Sequence, residues 1–215
     1  MRSLAVVSGS TPGAVARTTG RVAGYLACLA SLGSVDLVVI HDAAATAASR
    51  RAWVHATLTG DAPPARVIEV AATPLLPPSG FIREVHLKHS AAPERSARQS
   101  AWFRLVDSFV GSAPEPYDAT WCADVASLTR VGWIRRPLPA LLDIDRSEDL
   151  ETERTRRAVR RKAAGAHLVT MDSAPRHELL GLPGSIVAAP TDPSLRDAVV
   201  GAVELAGAYR PARTS

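Results

Sequence analysis

The sequence predicts an α/β domain in which helices cover both faces of a mostly parallel sheet of about seven strands. Three observations carry that expectation. Short continuous apolar runs such as Leu4–Val7 and Val35–Ile40 read as strands buried on both faces, and they alternate with longer stretches of helical periodicity. Small residues and capping residues mark the changeovers. A chain of 215 residues with 47% apolar content supports one sizeable core, so a single domain is expected.

Leu4–Val7 form the first strand, and Ser8–Ser10 end it. Thr11 then serves as an N-cap and Pro12 takes the first helical position, where its missing N–H costs nothing. Gly13 leaves the amides of the first turn uncovered. Bare amides at a helix N-terminus attract anions, and in an open α/β sheet this turn lies at the carboxyl rim, where ligands bind. Ser10, Thr11 and Gly13 are therefore candidate phosphate or substrate contacts, although any strand-to-helix turn wants small residues and a cap. The spacing excludes two other readings: there is no G-x-G-x-x-G after the strand and no G-K-[ST], hence neither a dinucleotide fingerprint nor a Walker A loop.

The first helix runs from about Pro12 to Leu32 on Val15, Thr19, Val22, Leu26, Leu29 and Ala30, and Gly33 ends it. Val35–Ile40 completes a right-handed βαβ unit. His41 and Asp42 stand at the carboxyl end of this second strand as candidate ligand contacts; Asp42 reads equally well as the cap of a helix from Ala43 to Leu58. Arg66–Val70 is a third strand. Ala72–Ser90, proline-rich and without periodicity, has the length of a functional or disordered loop, and His86, Lys88 and His89 are its polar candidates.

A helix follows from about Pro93 to Val110, with Ala97, Ala101, Phe103, Leu105, Val106 and Phe109 on its apolar side. Ala119–Cys122 reads as a strand, Ala123–Val131 as a short helix, and Leu138–Ile144 as a strand ending at Asp143 and Asp145. The helix Ser147–Ala164 places acids first and bases last, which complements its dipole, and Glu153 with Arg157 makes an i, i+4 pair. Arg154, Arg157 and Arg161 share a face, fit either for a phosphate or for a solvated surface of paired charges. Strands at His167–Met171 and Ser185–Ala189 bracket a short helix around Ala174–Leu180, and a last helix spans about Pro193–Ala208.

Composition narrows the function classes. A formal charge of +4 and a pI near 9.6 invite a nucleic-acid reading, but aromatic residues make up only 5% of the chain and the cations lie between acids. The interleaved basic and aromatic residues that stack bases are absent, so no nucleic-acid partner is expected. Cys28 and Cys122 fall in a predicted helix and strand, as buried free thiols of a reducing compartment do. No C-x-x-C or Cys/His cluster offers a metal site. With no signal-peptide pattern and no run of transmembrane length, a soluble cytoplasmic protein is expected.

Four segments, STPGAVARTTGRVAGYLACLASLGSVDLVVI, PYDATWCAD, LLDIDRSEDLE and RRAVRRKAAGAHLVTMDSAPRHELLGL, together resemble the N-terminal, acceptor-side half of a family 4 glycosyltransferase. Such GT-B enzymes pair two Rossmann-like domains. The resemblance runs from Leu4 to Pro190 and implies one Rossmann-like domain over residues 1–190, with 191–215 as a C-terminal helix and tail. In the family this half holds the acceptor, and its glycine turn faces the donor's diphosphate. Gly13 matches the first glycine of that turn, Ala14 stands where a second is common, and Arg17 follows it. Asp143 and Asp145 resemble the metal-binding pair of some sugar-nucleotide enzymes, although carboxylates at a strand end also serve as caps.

The resemblance implies transfer of a hexose from a nucleoside diphosphate sugar to an acceptor hydroxyl, with retention, no obligatory metal and no cofactor beyond that co-substrate. IVAAPTDP stands in the place of the linker that leads to the donor-binding domain. Only Thr191–Ser215 follow it, 25 residues, too few for a domain, so a partner chain or self-association is expected. An alternative is a non-catalytic pseudo-glycosyltransferase acting as a binding or partner subunit. A third reading, a dehydrogenase with Asp42 on a ribose, lacks the glycine fingerprint.

Overall fold

The computed structural model describes residues 1–9, 12–42, 48, 63–72, 101–123, 127, 140–142, 153, 156–157, 160, 167–170, 184–186 and 193–208. In chain order these form β1 (Arg2–Gly9), α1 (Pro12–Leu32), β2 (Ser34–Asp42), β3 (Arg66–Ala72), α2 (Ala101–Gly111), β4 (Ala119–Cys122), β5 (Ala140–Leu142), β6 (His167–Thr170), β7 (Gly184–Ile186) and α3 (Pro193–Ala208). The strands make one sheet in the order β3-β2-β1-β4-β5-β6-β7, and every adjacent pair is parallel. This is the strand order of doubly wound α/β domains. The expected helices at Ala43–Leu58, Ala123–Val131 and Ala174–Leu180 lie outside the described residues, except that Ala48 and Ser127 are helical.

Period-two alternation along the central strands divides the core into two layers. Ala5, Val7, Leu37, Val39 and Trp121 face α1 and α3, whereas Leu4, Val6, Val38, Ile40 and Val70 face α2. On the first face the Trp121 indole stacks on Tyr25 of α1, with centroids 4.6 Å apart and planes 20° apart. Leu195 and Val199 are buried in the same cluster, which makes α3 an integral part of the core. Gly33 joins α1 to β2 where the N-terminal backbone passes: the Ser34 N–H donates to the Met1 carbonyl at 3.0 Å, and a Cβ on Gly33 would run into that carbonyl.

Three expectations are corrected. Leu105, counted on the apolar side of its helix, is 56% exposed, because Trp102, Phe103, Val106 and Val110 already fill the face that α2 turns to the sheet. Cys28 is only half-buried, against α3; burial still pushes its thiol upward, while Cys122 is buried and both cysteines are free. β1 begins at Arg2 rather than Leu4, because the fold neutralises that cation.

The neutralisation is a buried charge network on the amino edge of the sheet. Asp36, fully buried in β2, accepts two hydrogen bonds from Arg2 Nη2, at 3.0 Å on Oδ1 and 2.8 Å on Oδ2. The Tyr117 hydroxyl donates to Oδ2 at 2.6 Å, and Arg66 Nη1 lies 3.4 Å from the same oxygen. Arg66 Nη2 in turn donates to the Phe109 carbonyl at 2.7 Å and to Ser112 Oγ at 2.8 Å, closing the C-terminus of α2, while its guanidinium lies 4.2 Å from the Phe109 ring centroid. Burial, reinforced by the Asp36 hydrogen bond, holds the Tyr117 phenol well above its ordinary range. No helix among the described residues is long and apolar enough to cross a membrane.

Candidate functional site at the carboxyl rim

The charge network occupies the amino edge; the opposite edge is where a ligand site belongs. The strand order reverses between β1 and β4, and in open α/β sheets the crevice beyond the carboxyl ends at that reversal receives the ligand. The pairings of β1 on its two sides differ in length. β1 pairs with β2 as far as Gly9, whereas its pairing with β4 covers only Ser3–Val6.

α1 starts at Pro12, so its first turn lies just past the end of β1. Gly13 and Ala14 bring the first-turn amides of a 21-residue helix to the rim, and no acidic residue stands in that turn. The helix dipole adds a partial positive charge at the same point. Arg17 lies just beyond that turn.

The neighbouring strand supplies His41 and Asp42. His41 pairs with Gly9 on one side and Ala71 on the other, and Asp42 pairs with Ala72 as the last residue of β2. The His41 side chain is 3% exposed and its Nε2 lies 3.4 Å from Glu69 Oε2, whose side chain is 43% exposed. The fold therefore brings Gly13, Ala14, Arg17, His41 and Asp42 to one end of adjacent elements. Ser10, Thr11, His86, Lys88, His89, Asp143 and Asp145 lie outside the described residues.

Glu69 escaped the sequence reading. Its signal was there: a carboxylate inside the apolar run RVIEVAA, one strand over and in phase with His41. Elsewhere, Glu153 draws Arg156, Arg157 and Arg160 to 3.0, 3.3 and 3.5 Å, and the hydrogen bond from Arg156 leads in lowering its carboxyl. The Glu153–Arg157 pair thus forms as expected. Arg154 and Arg161 lie outside the described residues. Among the described residues no group of three or more His, Cys, Asp or Glu side chains is placed to hold a metal ion.

No family model matches the chain, and no curated protein matches it. Among solved structures, the crystal structure of TcCGT1 in complex with UDP is similar at 11% sequence identity and a TM-score of 0.47, over 86% of this chain and 50% of that chain. The chain thus spans about half the length of that neighbour.

Proposed function

We propose that the chain is the acceptor-binding half of a sugar transferase that draws on a nucleoside diphosphate sugar, with the donor-binding half supplied by a partner chain. The observation that carries this reading is the rim at the β1/β4 reversal, where α1 begins just past the end of β1 and His41 and Asp42 close the adjacent strand β2. The resemblance of the opening segment to family 4 glycosyltransferases supports it. On this reading the amides after Gly13, with Arg17, stabilise the charge that develops on the leaving diphosphate. The hexose passes to an acceptor hydroxyl held at the same rim, without a metal or a resident cofactor.

A thermal-unfolding panel of nucleoside diphosphates and their sugar conjugates tests the proposal. Ligand at about a hundred times its dissociation constant stabilises a protein by about 2.7 kcal/mol. For a chain of this size that is a rise of about 5–11 °C in midpoint. One nucleotide is expected to raise the midpoint, and Gly13→Val, which covers the amides, to abolish the rise. A flat panel, together with a monomer under native mass spectrometry at high concentration, refutes both donor-phosphate binding and partner dependence. A flat panel with a stable assembly puts the donor site elsewhere, leaving an acceptor-binding half or a non-catalytic partner subunit.

A further inference from the structure

We draw no further inference here: the strongest candidate, the outer edge of the sheet at β3 with Val67, Glu69 and Ala71 exposed on one face, has no partner strand among the described residues, and nothing in the structure shows what covers it.

Discussion

Replacing Asp36 with asparagine removes the carboxylate that faces the Arg2 and Arg66 guanidiniums while leaving the shape of the side chain almost unchanged. The structure sets the size of the loss. Arg2 Nη2 contacts both oxygens at 3.0 and 2.8 Å, Tyr117 donates at 2.6 Å, and Asp36 itself is sealed from solvent. Stranding a buried charge by deleting its partner typically costs about 3–5 kcal/mol, a large share of the roughly 5–15 kcal/mol that holds a domain together. At about 2–4 °C per kcal/mol for a chain of this length, the midpoint should fall by about 6–20 °C. Urea unfolding followed by the fluorescence of buried Trp102 and Trp121 gives the difference directly. The double variant Arg2→Met/Asp36→Leu, which replaces the pair with apolar groups, should recover most of the loss, since the pair's mutual attraction is largely offset by its desolvation. An Asp36→Asn protein within about 1 kcal/mol of wild type would refute the view that the network holds the amino edge.

Two further outcomes follow from neighbouring features. The Tyr117 phenol is raised in the folded state, so folding binds its proton more tightly than the unfolded chain does. That stabilisation is complete below pH of about 10, the unfolded value, and is lost as pH climbs toward the folded value. Urea midpoints between pH 8 and pH 11 should therefore fall more steeply for wild type than for Tyr117→Phe, and equal slopes would show that the phenol is not linked to folding. Gly33→Ala places a methyl against the Met1 carbonyl and should cost about 1–3 kcal/mol, as overpacking does; a variant with an unchanged urea midpoint counts against that close approach.

The elements legible in the sequence are those whose cause is local. Pro12 and Gly33 bound α1, and the structure places its ends at Pro12 and Leu32. Pro193 likewise opens α3. The apolar runs of β1 and β2 identify themselves because parallel strands buried on both faces leave no polar position to break the pattern. Arg2 was illegible as a strand residue because its neutralising partner lies on another strand, 34 residues on, and nothing near Arg2 announces Asp36. Leu105 misled for a related reason: periodicity shows that a helix has an apolar side, not which of its apolar residues the sheet has room for. At the rim, His41 could be placed from the end of β2 alone. Its contact with Glu69 required the β2/β3 register, which exists only once the strands are paired.

The contact between α1 and α3 joins residues far apart in the chain: Leu29 of α1 and Leu195 of α3 share one cluster. During synthesis at roughly 5–20 residues per second, the face of α1 that α3 will cover waits on the order of ten to thirty seconds for its partner to be made. Trp121, which stacks on Tyr25 of α1, is made earlier in that interval, and the α3 residues that pack on α1 follow it. Completion of this fold is therefore paced by translation, and contacts of such long sequence separation belong to slow-folding topologies. A nascent chain stalled before Pro193 would carry an unfinished seam along α1, the stage at which a chaperone has most to hold.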